Sequence, residues 1–245
     1  MPSWNIHTAH VERLLAEHQA QDLGITDVNA FLFGNYVPDI YLGFMVQDTT
    51  FRIDYCLTHM AKPSLTPLPD ADQFWDNCIV KRRPANDVRL SLTLGVWAHL
   101  VADRVYNGDF REFCETRKTP HGDELRILKQ GDFNQFGHSL GISSLVEVTP
   151  ELLEAANKFR QYSVLPDDVK RAADVANAIV RGELAKPDHD TYQLLTIEWL
   201  TNTFDECNEI LSRWLMAWQE LEREGRPISA SEVRAKASLP TFKEF

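Results

Sequence analysis

Apolar side chains in this chain recur every three or four residues and almost never every two. That rhythm fits packed helices far better than sheets. Residues 3–21 set Trp4, His7, Val11, Leu14, Leu15 and His18 along one stripe. Residues 28–46 contain "FLFGNYVPDIYLGF", broken by Gly34 and Pro38. A proline suits the first turn of a helix, which places Asp39 near a helix start. "FRIDYCLTHMAKP" reads as a short helix stopped by Pro63, and "DADQFWDNCIVKR" as another. Residues 86–107 carry the strongest signature of a buried helix. "DFREFCETRK" and "DELRILKQ" follow it, and "GDFNQFGHSLGISS" reads as loop. Pro150 and Pro166 each open a polar-faced helix, and residues 190–224 read as one long helix. Ser229 and Glu232 stand at capping-box spacing before a short last helix. No hairpin turn signal, internal repeat or low-complexity segment interrupts the pattern. "KPSLTPLPDAD" is a loop rather than a linker, because helical signals resume on both sides. The expectation is one all-α domain over residues 1–245, a multi-helix bundle.

Charge and cysteine usage narrow the function classes. The formal net charge of −11 argues against a long phosphate-tracking groove, since duplex affinity rests on clustered Lys and Arg. A metal-lined site escapes that objection, because a bound cation inverts the local field. Cys56, Cys78, Cys114 and Cys207 form no close-spaced pair, so neither a zinc knuckle nor a redox motif is present. No basic-then-apolar leader opens the sequence, and no apolar run approaches the roughly 20 residues of a membrane span. A cytoplasmic chain whose thiols serve as packing residues is expected.

Within the buried segment, "GVWAHLVADRVYN" places His99 and Asp103 four positions apart, with Gly95 one turn earlier. Residues four apart on a helix share a face at about 5–6 Å between Cβ atoms. The pair can therefore be a hydrogen-bonded core couple or two ligands for one ion, with Gly95 leaving space beside them. Three further residues bear on the choice. His7 lies on the apolar stripe of the first helix, Asp39 follows Pro38 amid aromatics, and His59 ends a short apolar segment. Each has an ordinary structural explanation alone: a satisfied core histidine, a helix-start carboxylate, a helix-end charge. Four helices each bringing a ligand-type side chain into apolar surroundings is the pattern of metal sites in helical bundles.

"MPSWNIH", "GNYVPDI", "LTH" and "GVWAHLVAD", in that order, resemble the zinc-dependent phospholipase C family, whose wider superfamily includes single-strand-specific zinc nucleases. The resemblance covers roughly residues 1–107. It implies an all-α fold, with His7, Asp39, His59, His99 and Asp103 as metal ligands and Asp103 bridging two ions. It also implies Asp39 as ligand or general base, and hence as the catalytic residue. His and carboxylate side chains suit zinc, and adjacent ions activate water while clamping a phosphate.

The chain departs from the family in two places. Secreted members ligate metal through the amino group of an N-terminal Trp, whereas Trp4 here follows three residues and reads as packing. Those members also supply a later His and a His-x-x-x-Glu, which this chain lacks; His121, Asp132 and His138 are the available additional ligands. One or two zinc ions are therefore expected rather than three. The expected function is metal-dependent hydrolysis of phosphate esters, with a small phosphate ester or phospholipid as substrate. The alternative is a non-catalytic helical metal-binding or structural protein of the same fold. Arg104, beside the pair, can reach a phosphate or form a salt bridge at the rim.

Overall fold

The helical period is realised throughout the computed structural model, which describes residues 2–64, 66–119, 122–183, 191–225 and 228–242. Eleven α-helices and no strand occur among them. In order they are α1 (Trp4–Glu17), α2 (Val28–Gly34), α3 (Val37–Ile40), α4 (Tyr55–Thr58), α5 (Ala71–Phe74), α6 (Asp87–Arg117), α7 (Asp123–Ser139), α8 (Pro150–Asn157), α9 (Pro166–Val180), α10 (Ile197–Glu222) and α11 (Ala230–Lys236). The starts follow ordinary capping chemistry. Asp27 accepts from the Ala30 amide, Asn86 from Arg89 and Thr196 from Trp199, each satisfying a first-turn N–H. Ser229 and Glu232 form the expected capping box. Pro38, Pro150 and Pro166 all sit in first turns.

The axis of the bundle is α6. Every residue from Ser91 to Asn107 except Arg104 is buried, so this helix is wrapped on all sides. Its closest neighbour is α2, and the two backbones meet at Gly34 and Gly95. A Cβ on Gly95 would lie 2.9 Å from the Gly34 Cα and closer still to the Phe31 carbonyl oxygen. The space expected beside His99 and Asp103 is therefore filled by the α2 backbone. Gly95 serves helix crossing, not ligand access.

Further along, α6 packs on α10 around four tryptophans. Trp75 meets Trp97, Trp214 and Trp218 edge-on, at centroid distances of 5.2, 5.3 and 5.4 Å. Aromatic rings favour this geometry because positive edges meet negative faces. The segment expected as a single helix around "DADQFWDNCIVKR" passes from α5 into a π-helical turn, Trp75–Val80. The wide turn sets Trp75 Nε1 to donate to the Ile228 carbonyl and Asp76 to accept from the Ala230 amide, docking α11.

Three sequence expectations need correction. "DFREFCETRK" continues α6 to Arg117 rather than forming a separate element. "GDFNQFGHS" belongs to α7, whose buried Leu125, Lys129, Asp132, Phe133 and Phe136 keep helical spacing. The glycines that suggested loop have another use: Gly137 lies so close to the Asn5 side chain of α1 that no Cβ would fit. Finally, α10 begins at Ile197, not at 190. Residues 191–196 run non-helically into the Thr196 cap, and 184–190 lie outside the described residues.

Short α3 is braced from α9. The Tyr41 hydroxyl donates to Asp168 Oδ2 at 3.0 Å, and the Thr50 amide and Arg171 guanidinium occupy Oδ1 at 3.1 and 2.8 Å. That brace holds the turn carrying Asp39.

Candidate metal centre

Four helices deliver five side chains to one buried point. His7 comes from the opening turn of α1, Asp39 from the first turn of α3, His59 caps the C-terminus of α4, and His99 and Asp103 share one face of α6. All five are at most 3% exposed, which removes solvent as a partner. Two triads result, His7–His99–Asp103 and Asp39–His59–His99, each with its donor atoms within 4.8 Å of one another. Either triad could hold a metal ion.

Neighbouring groups decide which ring nitrogens face the centre. His99 Nδ1 lies 2.7 Å from the Asn35 carbonyl oxygen, which can only accept, so Nδ1 carries the proton and Nε2 a lone pair. The Thr58 hydroxyl donates to the Tyr55 carbonyl at 3.3 Å and sits 2.7 Å from His59 Nδ1. It therefore accepts from that nitrogen, leaving His59 Nε2 bare as well. The two Nε2 atoms stand 3.1 Å apart. Lone pairs at that distance repel unless a cation lies between them.

The carboxylates follow the same plan. Trp4 Nε1 donates to Asp39 Oδ2 at 3.0 Å, and the Tyr55 hydroxyl donates to Asp103 Oδ2 at 3.0 Å. Asp39 Oδ1, Asp103 Oδ1 and both His7 ring nitrogens have no hydrogen-bond partner although they are buried. Such orphaned groups cost about 1–3 kcal/mol each when nothing compensates them. His59 Nε2 lies 3.6 Å from Asp39 Oδ1 and 3.4 Å from Asp103 Oδ2, and His7 Nε2 lies 3.6 Å from Asp103 Oδ1. Donors about 2.0–2.1 Å from a tetrahedral ion stand roughly 3.3 Å apart. The donor set and its spacing fit a metal ion.

Electrostatics agree. Burial pushes the His7 imidazole down to about 3, with the neighbouring His99 adding to the effect. Burial lowers His59 too. Burial works against ionisation of Asp103, yet His99, His59 and His7 hold its carboxyl well below the ordinary range. Near neutral pH His7 and His59 are thus buried neutral imidazoles beside the Asp103 carboxylate. Buried charge in native proteins is paired or bound to metal.

The other expected ligands do not join. Asp132 is buried, but it accepts from the amides of Gln193, Leu194 and Leu195 at 2.7, 2.8 and 2.6 Å. Both of its oxygens are spent fastening the approach to α10. His138 is exposed near the end of α7, and His121 lies outside the described residues. Arg104 turns to the Pro69 carbonyl and the Phe242 ring.

Several contributors escaped the sequence reading. Trp4 is buried packing, as expected, and it also orients Asp39. Tyr55, four residues before His59, is stacked on that ring at 3.8 Å while serving Asp103. The i, i+4 spacing of Tyr55 and His59 was the available signal. Nothing local marks the Asn35 carbonyl. Trp4, Asp39 and Tyr55 also form part of the wall of a cavity of about 930 Å³, bounded elsewhere by Phe44, Met45, Phe110, Leu125 and Lys129. Most aromatics of "FLFGNYVPDIYLGF" pack the core, while Leu42 and Phe44 reach the cavity.

No family model, curated protein or solved structure matches this chain. Its functional reading therefore rests on the site itself.

Proposed function

We propose that this protein is a zinc-dependent hydrolase of phosphate esters, similar in chemistry to the zinc-dependent phospholipases C. The observation that carries the reading is the pair of bare Nε2 atoms of His59 and His99, flanked by orphaned oxygens of Asp39 and Asp103, at the edge of a substrate-sized cavity. Zinc suits a donor set of imidazole and carboxylate. Asp39, His59 and His99 would hold one ion, and His7 and Asp103 a second. His99 has one free nitrogen to give, and Asp132 is committed elsewhere, so one or two ions are favoured over three. When bound, the metal would supply activated water and stabilise charge on the phosphoryl oxygens.

The chain's own groups do the rest. Asn35 and Thr58 keep His99 and His59 in the tautomer that points Nε2 inward. Trp4 and Tyr55 orient Asp39 and Asp103 through one oxygen each and leave the other free. Burial and the Asp103 carboxylate raise the Tyr55 hydroxyl well above its ordinary range, so it remains a donor. Asp39 alone among the five belongs to the cavity wall, which supports it as the residue that would hold or pass a proton at the substrate. The four cysteines are free, which suits a reducing compartment such as the cytoplasm. No helix among the described residues is long and apolar enough to cross a membrane.

The test is elemental analysis of protein purified without added metal. Hydrolysis of a chromogenic phosphodiester is then measured with and without chelator, and with His99→Ala. Zinc near one or two equivalents with chelator-sensitive turnover supports the reading. Zinc without turnover in any diester points to the non-catalytic metal-binding alternative.

A further inference from the structure

The stripe of α7 that packs inward runs Leu125, Lys129, Phe133, Phe136. Helical patterning calls for an apolar residue at the second position, yet it holds an amine. Lys129 is only 9% exposed, and its ammonium lies 4.6 Å from the Phe110 ring centroid and 5.8 Å from that of Phe133. Lys129, Phe110 and Leu125 all belong to the wall of the cavity that contains Asp39. No carboxylate among the described residues forms an ion pair with Lys129. The cavity's other strong cation, Arg126, is exposed and bonded to Asp123 at 3.3 Å.

A buried ammonium is costly unless something meets it. Ring faces repay part of that cost, and burial pushes the amine below its ordinary range while the Asp103 carboxylate pulls the other way. Lys129 and Asp39, the residue of the candidate metal centre that reaches the cavity, share its wall.

We propose that Lys129 is an anion-binding residue of the substrate cavity, so that the preferred substrate carries a second negatively charged group, a phosphate or carboxylate, besides the phosphoryl presented to Asp39 and the histidines. This inference rests on the hydrolase reading for its word "substrate". The recognition chemistry is a charge-assisted hydrogen bond in a water-poor site. A substrate arm ending in a quaternary ammonium would instead meet like charge there.

Binding tests it without turnover. Three phosphonates of similar length are titrated calorimetrically into the full chain as purified: propane-1,3-diphosphonate, 4-phosphonobutyrate and (3-trimethylammoniopropyl)phosphonate. One or both anion-ended compounds should bind at least about tenfold more tightly than the cation-ended one, the size expected of a hydrogen bond to a charged group. Lys129→Met keeps the apolar stem against the rings and should erase the preference, whereas Lys129→Arg should keep it. Equal affinities in the wild-type chain, no binding of any phosphonate, or an unchanged preference in Lys129→Met would overturn the proposal. Loss of hydrolysis is a separate matter. A chain that shows the Lys129-dependent order but cleaves no diester removes the hydrolase reading alone. One that cleaves diesters without that order removes only the anion subsite.

Discussion

Replacing Gly95 by alanine distinguishes a tightly built site from an ordinary helix. Alanine in place of a mid-helix glycine normally stabilises by about 1 kcal/mol. At Gly95 the new methyl would sit 2.9 Å from the Gly34 Cα and 3.0 Å from the Phe31 carbonyl carbon. Carbon atoms pack at about 3.5–4.0 Å and the Phe31 carbonyl oxygen is nearer still, so α2 must retreat by roughly 1 Å or more. Neither obstacle is a flexible side chain that can swing away. Overpacking of this kind costs about 1–3 kcal/mol. The retreat also draws the Asn35 carbonyl away from His99 Nδ1, where the hydrogen bond is now 2.7 Å, at a cost of about 1 kcal/mol. Set against the propensity gain, the balance is a loss of about 1–3 kcal/mol. Because the Asn35 carbonyl fixes the His99 tautomer, zinc affinity should fall by about ten- to a hundredfold. Denaturant titration of the metal-free protein measures the first quantity and competition with a zinc chelator the second. Gly131→Ala on α7 is the matched control: no atom approaches its added Cβ within 4 Å, so it should stabilise. If Gly95→Ala is stabilising like Gly131→Ala, the close crossing of α2 and α6 is wrong.

Asp103→Asn should lower zinc content and diester hydrolysis together, because the amide keeps the shape but loses the charge facing the ion; zinc retained at full stoichiometry would count against the ligand role. The control is exposed Asp174→Asn, which should change neither quantity. Trp4→Phe keeps most of the packing but frees Asp39 Oδ2, and a chelator competition should show zinc held about ten- to a hundredfold more weakly. Acid should unfold the metal-free protein early. His7 and His10 are held neutral down to about 3, mainly by burial, while the unfolded chain takes up protons near 6.5. Stability is therefore lost as pH falls from about 6.5 towards 3, by up to about 2.7 kcal/mol per pH unit for the two groups. Urea midpoints that stay flat between pH 6 and 4.5 would refute this. Zinc at a thousandfold excess over its dissociation constant should add about 4 kcal/mol, raising Tm by roughly 8–16 °C for a chain of this size, and chelator should reverse the rise.

The helical class was legible because a three- and four-residue apolar period has one structural solution. The caps at Ser229 and Pro38 were legible because they are local chemistry. So was the shared face of His99 and Asp103, since a step of four residues on a helix is little more than one turn. Convergence was not legible in the same way. His7, Asp39 and His59 lie 92, 60 and 40 positions before His99, and no local rule joins such distances. The crossing at Gly34 and Gly95 and the brace from Asp168 on α9 do that. The misread residues share one cause. Gly95 resembled open space, Asp132 a spare ligand, and the glycines of α7 a loop, because each side chain's meaning depends on which backbone lies opposite it. Asp132 meets the amides of 193–195, Gly95 meets α2, and Gly137 meets Asn5. Sequence determines which chemical groups each helix carries on its buried face. Only the packing of one helix on another determines whether those groups find a hydrogen bond, or stand bare around a point where a cation fits.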